Sequence, residues 1–233
     1  DNVPGSKGFG AGGWWANWGY FVNSAGGSFY NEDRTACALD SDASIAGLTF
    51  YQDLYASGSG VPFGEDAEPP FKAGTLGMFI NGRWATPGAR EITSFNWDVA
   101  PLPTGAAPGK DWLFWGAYVV NANTANPDAA WKLVEALTST EVQDKVASLG
   151  ANIPSRTSQE AIDAFLTYTP PANNQAFVDG IQNDPVAEGP LWTGSWPAFD
   201  KASGDEVTAL MTGKITIDEF QKTICKAAAV AWE

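Results

Sequence analysis

The chain has no histidine, which removes the commonest general base and the commonest metal ligand. Ser-His-Asp and Cys-His catalysis are therefore excluded by composition. Cysteine is nearly absent too, with only Cys37 and Cys225. No apolar run approaches the length needed to span a bilayer. Basic residues are few: 13 Lys and Arg against 27 Asp and Glu give a formal net charge of −14. Phosphate backbones and anionic lipid surfaces would be repelled, so no nucleic-acid or membrane-surface partner is expected. There is no internal repeat and no low-complexity tract. The chain opens Asp1-Asn2-Val3-Pro4-Gly5, without a basic start or an apolar stretch, so any signal segment is expected to lie outside these residues.

What is present is tryptophan, eleven in 233 residues. Several sit beside small or polar residues instead of inside apolar runs: Gly13-Trp14-Trp15-Ala16-Asn17-Trp18-Gly19, Asn81-Gly82-Arg83-Trp84, Trp112-Leu113-Phe114-Trp115-Gly116 and Leu191-Trp192-Thr193-Gly194-Ser195-Trp196. A ring next to a small residue can present its face outside the core. A flat apolar face ringed by amides suits the C–H face and hydroxyl edge of a sugar. Trp131, within a helical apolar pattern, and Trp232, at the chain end, read as core members. Trp15, Trp84, Trp115 and Trp196 read as cleft members.

An apolar fraction of 44 % and a charged fraction of 17 % fit a globular protein of one large or two small domains. An even cysteine count in a chain that otherwise looks exported favours a Cys37–Cys225 disulfide, although two buried free thiols are the alternative. A loop that long stabilises by up to about 5 kcal/mol.

Helix signals are clear. The aromatic stretch 9–25 stops at Gly26-Gly27. Ser41 or Asp42 caps a helix carrying Ile45, Leu48, Gln52 and Tyr55. Asn126-Pro127 opens another, with Ala130, Leu133, Val134 and Leu137 on one face. Thr138-x-x-Glu141, Thr157-x-x-Glu160 and Thr216-x-x-Glu219 read as capping boxes, and the final helix is expected to bury Phe220, Ile224, Ala227 and Ala231. Strands are expected at Thr75–Ile80, Asn96–Leu102 and Leu113–Val120. Short strands scattered among many helices make an α/β chain with non-sequential strand use.

Other motifs are weaker. Gly8-Phe9-Gly10-Ala11-Gly12-Gly13 matches G-x-G-x-x-G, but too few residues precede it for a strand, so it reads as a flexible lead-in to the tryptophan helix and not as a dinucleotide site. Asp40-Ser41-Asp42 lacks the glycine and glutamate of a calcium loop. No metal and no cofactor are expected. A glycoside hydrolase using two carboxylates remains the alternative function, since it needs no histidine. A non-catalytic surface module with its tryptophans packed inside is a third.

Five segments in order resemble extracellular solute-binding proteins of carbohydrate ABC transporters, relatives of maltose-binding protein. They are Phe71-Lys72-Ala73-Gly74-Thr75-Leu76-Gly77-Met78-Phe79-Ile80-Asn81-Gly82-Arg83-Trp84; Asn96 to Pro103, ending Pro101-Leu102-Pro103; Asn126-Pro127-Asp128-Ala129-Ala130-Trp131; Thr138-Ser139-Thr140-Glu141-Val142-Gln143; and Ile153-Pro154-Ser155-Arg156. The resemblance implies a periplasmic-binding-protein type II fold: a nearly complete C-terminal lobe plus a remnant of the N-terminal lobe. Residues 1–113 and 156–233 would form the C-terminal lobe and 114–155 the hinge crossing and the remnant, so the chain would be a truncated form of a longer protein. It implies a non-catalytic receptor that holds a mono- or oligosaccharide in an inter-lobe cleft and hands it to ABC transporter permease subunits. The receptor would be a monomer and extracytoplasmic, periplasmic or lipid-anchored at the cell surface. Trp14, Trp15, Asn17, Asn81, Arg83, Trp84, Trp115, Gly116, Trp192 and Trp196 fall where the family contacts ligand.

Overall fold

The computed structural model describes residues 5–108, 110–150, 152–155, 158–182, 186–187 and 193–233. They form two compact units. Unit 1 comprises Asp1–Asn81, Leu102–Trp112 and Asp184–Glu233; unit 2 comprises Gly82–Pro101 and Leu113–Asn183. The chain therefore passes between the units four times.

In unit 1, strand β1 (Lys7–Gly10) pairs in parallel with β2 (Leu76–Phe79), Lys7 opposite Leu76 and Phe9 opposite Met78. The expected strand at Thr75–Ile80 is thus present. The expected flexible lead-in is not: Gly8, Phe9 and Gly10 are ladder residues. Glycine hides the alternating pattern of a strand, yet Gly10 is needed, because a Cβ there would lie 2.7 Å from the Ala67 Cβ and 2.9 Å from a Leu76 methyl. A parallel pair requires a long crossover, supplied here by three helices: α1 (Trp15–Ser24), α2 (Asp42–Ala56) and α3 (Glu68–Lys72). All ten residues of α1 are buried, so it runs through the middle of the unit instead of along its surface. It ends at Gly26, whose φ of 85° is a left-handed stop. Helix α2 starts where Ser41 accepts from Ser44 N, and it crosses α1 at backbone contact. A Cβ on Gly47 would fall 2.2 Å from the Phe21 carbonyl oxygen.

Helices α9 (Trp196–Met211) and α10 (Ile217–Ala228) complete unit 1. The Thr216–Glu219 capping box is formed as read. Phe220, Ile224 and Ala231 are buried as expected, but Ala228 takes the place of half-buried Ala227, because the helix keeps an i, i+4 stripe until its last turn tightens to a 3-10 turn. Cys37 and Cys225 form a disulfide. The short strands β3 (Trp112–Leu113) and β4 (Val186–Ala187) pair with each other, and Val186 N donates to Asp111 O at 2.8 Å.

Unit 2 carries a 3-10 turn (Arg83–Ala85) running into α4 (Thr86–Ala89), then α5 (Pro127–Leu137), α6 (Thr140–Ser148), α7 (Gln159–Thr167) and α8 (Gln175–Gln182). Its core is Ala147, Ala161, Phe165 and Val178. Arg90 ties the loops together, donating to the carbonyls of Pro170, Gly150 and Tyr168 with its guanidinium 4.0 Å over the Tyr168 ring.

Several expectations are corrected in this unit. Asn96–Leu102 is not a strand. The Asp98 carboxylate accepts from Val99 N and Asn173 N, and Asn173 Nδ2 donates to Val99 O, so side chains take the groups a ladder would use. Leu113–Val120 is a strand only at Leu113; residues 115–120 are exposed and irregular, since apolar β-formers need a partner edge as well as propensity. The cap of α6 is Ser139, not Thr138, whose hydroxyl donates back to Val134 O. Ser158 caps α7, while Thr157 lies outside the described residues. Trp131 is not a core member: it is 58 % exposed, and α5 has no buried residue. The apolar face of α5 is where periodicity put it, and Ala130, Leu133, Val134 and Leu137 line a shallow pocket with the irregular stretch from Tyr118 to Thr124.

Candidate functional site

Trp15, the first residue of α1, is the hub of an aromatic cluster inside unit 1. Its ring centroid lies 5.3 Å from Trp14, 6.1 Å from Phe29, 4.9 Å from Trp112 and 5.1 Å from Trp196, all edge-to-face. Edge-to-face contacts set the electron-poor edge of one ring against the face of another, which fixes each ring's tilt. Trp112 is pinned further, its indole N–H donating to Ala16 O at 2.9 Å. Trp15 is 6 % exposed and Trp14 44 % exposed.

This cluster walls a cavity of about 340 Å³ whose described lining residues all belong to unit 1. Its described lining is the apolar Trp15, Phe29, Tyr30, Trp112 and Val186 together with the polar Asn23, Ser28, Asn31, Glu32 and Arg34. The volume falls within the range of small-molecule sites, which pair apolar walls with a few placed polar groups. Burial pushes the Tyr30 phenol well above its ordinary pKa, so it stays neutral. Of the candidate residues among the described ones, Trp15 lines this cavity, with Trp14 and Trp196 against its ring. Phe29, Tyr30, Asn31, Glu32, Arg34 and Trp112 escaped the sequence reading. The signal that could have found the loop is Phe29-Tyr30 followed directly by Asn31-Glu32-Asp33-Arg34, an aromatic pair leading into a charged turn.

The other candidates are placed as follows. Asn17 is buried and its amide donates to Ile80 O at 3.4 Å, joining α1 to the end of β2. Asn81 is exposed at the end of unit 1. Arg83, Trp84, Trp115 and Gly116 belong to unit 2. Arg83 is only 6 % exposed, with its guanidinium 4.8 Å and 5.0 Å from the Phe165 and Phe177 rings; burial first, then Arg90, lowers its pKa to about 10. Trp84 is half exposed, edge-on to Phe114 at 5.3 Å. Trp115 is 63 % exposed, and a Cβ on Gly116 would meet nothing within 4 Å, so among the described residues no backbone requires glycine there. Trp192 lies outside the described residues. Among the described residues no group of three or more Cys, Asp or Glu could hold a metal ion, and no helix is long and apolar enough to cross a membrane.

A family model described as bacterial extracellular solute-binding protein matches residues 2–144. The maltotriose-binding protein of Pyrococcus abyssi is 27 % identical over 180 residues, 73 % of this chain and 36 % of that protein. Among solved structures, the ABC substrate-binding protein of Listeria monocytogenes in complex with cycloalternan superposes with a TM-score of 0.83 at 18 % identity, covering 98 % of this chain and 59 % of that one. The cyclic alpha-maltosyl-1,6-maltose binding protein of Arthrobacter globiformis does so with a TM-score of 0.77 at 17 % identity, covering 98 % and 60 %. The chain thus spans between a third and three-fifths of the length of these relatives, and the structural likeness is one of fold, the periplasmic-binding-protein type II fold. With more than half of its residues matched by the family model, the chain belongs to the bacterial extracellular solute-binding proteins.

Proposed function

We propose that this chain is the C-terminal part of a non-catalytic carbohydrate receptor of an ABC import system. The observation that carries the reading is the cavity of unit 1, lined by the aromatic Trp15 and Trp112 and by polar groups that include Asn31, Glu32 and Arg34. Tryptophan surfaces would pack against the C–H face of a sugar, and the polar groups would meet its hydroxyls. Residues of the parent outside this chain would supply the opposing wall. Trp14 and Trp196 back the cavity, and Asn17 holds α1 in place. Asn81, Arg83, Trp84, Trp115, Gly116 and Trp192 carry over from the resemblance as contacts of the assembled receptor. On the same reading residues 1–113 and 156–233 are the C-terminal lobe and 114–155 the crossing and remnant. The receptor would work outside the cytoplasm as a monomer, delivering sugar to permease subunits.

Glu32 is the carboxylate among the described lining residues, whereas glycoside hydrolysis by the usual route needs two. Tryptophan emission of the full-length parent, titrated with mono- and oligosaccharides beginning with maltotriose, is expected to change saturably. No response to any sugar, or turnover of aryl glycosides, would overturn the reading.

A further inference from the structure

Two polar groups in residues that line the unit 1 cavity are orphaned. The Nδ2 of Asn23 and the hydroxyl of Tyr30 are closed to solvent, and neither has a hydrogen-bond partner among the described residues. Each residue is only 8 % exposed. Burying a hydrogen-bonding group without a partner is unfavourable, and folded proteins leave few such groups unexplained.

Packing prevents these two side chains from finding a partner elsewhere. Asn23 lies in the last turn of α1, where its carbonyl accepts from Gly26 N at 2.9 Å, and the left-handed Gly26 leads the chain on to Ser28, Phe29 and Tyr30. The Tyr30 ring is held among other rings, with Phe199 at 4.7 Å, Phe29 at 6.1 Å and Trp232 at 6.2 Å, and its backbone bridges to Cys37. Phe29 and Trp112 press on α1 at Gly19, where a Cβ would lie 2.4 Å from a Phe29 ring carbon and 2.9 Å from a Trp112 ring carbon. Two small motions remain. A terminal amide turns about a broad torsion, and a hydroxyl hydrogen rotates. Both groups can therefore be turned onto an oxygen in the cavity while the backbone stays in place.

Neither group is charged. The amide N–H donates, whereas the phenol, kept neutral by burial, donates or accepts. A sugar hydroxyl also does both at once, so it can accept from Asn23 and donate to the Tyr30 oxygen. We propose that Asn23 and Tyr30 are ligand-binding residues of the unit 1 cavity, their amide and phenol together holding hydroxyl groups of a bound sugar. The proposal rests on the carbohydrate reading above. It puts a polar ligand contact on α1 itself and gives Tyr30 a hydrogen-bonding part beside its apolar one.

The test titrates the full-length parent by calorimetry with maltotriose, maltose and galactose, as wild type, Asn23→Leu and Tyr30→Phe. The melting temperature of each is recorded without sugar. Both substitutions remove an orphaned buried polar group at similar side-chain volume, so the sugar-free melting temperature is expected to hold or to rise. Affinity for the best-bound sugar is expected to fall roughly tenfold to a hundredfold in each variant, because a buried sugar hydroxyl loses its partner. A group that serves only the fold gives the opposite pattern, a lower melting temperature with wild-type affinity, as a bridging buried water would. Wild-type affinity in either variant strikes that residue from the site. Wild-type affinity in both overturns the proposal and leaves the carbohydrate reading standing. If Asn23→Leu does not fold, Tyr30→Phe decides alone. A wild-type parent that binds none of the panel brings down both readings, and the wild-type titration tells the two failures apart.

Discussion

Trp15 shows how one residue serves the core and the cavity together. With aromatic contacts to Trp14, Phe29, Trp112 and Trp196 and 6 % exposure, Trp15→Ala is expected to cost about 3–5 kcal/mol, measured by urea unfolding. Trp15→Phe keeps most of the packing and is the better variant for binding studies. Arg83 presents the opposite case, a charge placed where its charge is poorly used. Among the described residues its Nε and one terminal nitrogen find no hydrogen-bond partner, and its guanidinium packs on Phe165 and Phe177. Arg83→Met, similar in length and apolar, is expected to leave the melting temperature unchanged or to raise it, whereas Arg83→Ala should lower it by opening a void beneath the two rings. Neither result is predicted if Arg83 is mainly an exposed hydrogen-bonding group.

At the scale of elements, helix starts and close crossings carry the local stability. Thr216 and Glu219 form a reciprocal cap on α10, and Glu219 holds its pKa below the ordinary 4.5 mainly by accepting from the Thr216 backbone N–H and hydroxyl. A depressed carboxyl pKa means stabilisation that is present above the unfolded value and lost as pH falls through the folded one. The melting temperature of the wild type should therefore fall more steeply below about pH 4.5 than that of Glu219→Gln, which lacks this titration. Thr216→Ala should cost about 0.5–2 kcal/mol at neutral pH. Where α1 and α2 cross, Gly47→Ala would drive a methyl into the Phe21 carbonyl at 2.2 Å. Backbone cannot yield as a side-chain tip can, so chemical denaturation should show a loss of about 1–3 kcal/mol, and helix propensity should not rescue it.

At the scale of the whole chain, the Cys37–Cys225 disulfide spans a sequence separation of 188 residues and joins an early loop to the last long helix. The chain-entropy model gives about 5 kcal/mol for a loop of this size, so reductant should lower the melting temperature markedly. In unit 2, Trp115, Val119, Trp131 and Leu133 are exposed apolar side chains, and Val119→Ser with Leu133→Ser is expected to raise the concentration at which the chain aggregates, measured by light scattering.

By itself the sequence determined what depends on neighbours along the chain. The helix starts at Ser41, Asn126 and Thr216, the strand before Asn81 and the family were legible, because caps, periodicity and ordered motifs are local codes. The caps at Ser139 and Ser158 came out one residue from the threonines read for them, since adjacent hydroxyls compete for the same orphan N–H groups. An even cysteine pair could be counted, but only the fold brought Cys37 to Cys225. The failed strands depended on partners: Asn96–Leu102 surrendered its backbone groups to Asp98 and Asn173, and Leu113–Val120 found no edge beyond its first residue. The tryptophans divided in the same way. Composition made them visible, yet burial of Trp15, exposure of Trp131 and the gathering of Trp15, Trp112 and the Tyr30–Cys37 loop around one cavity were decided by tertiary structure. A ring's neighbours across space follow from long-range packing, and no local pattern encodes them.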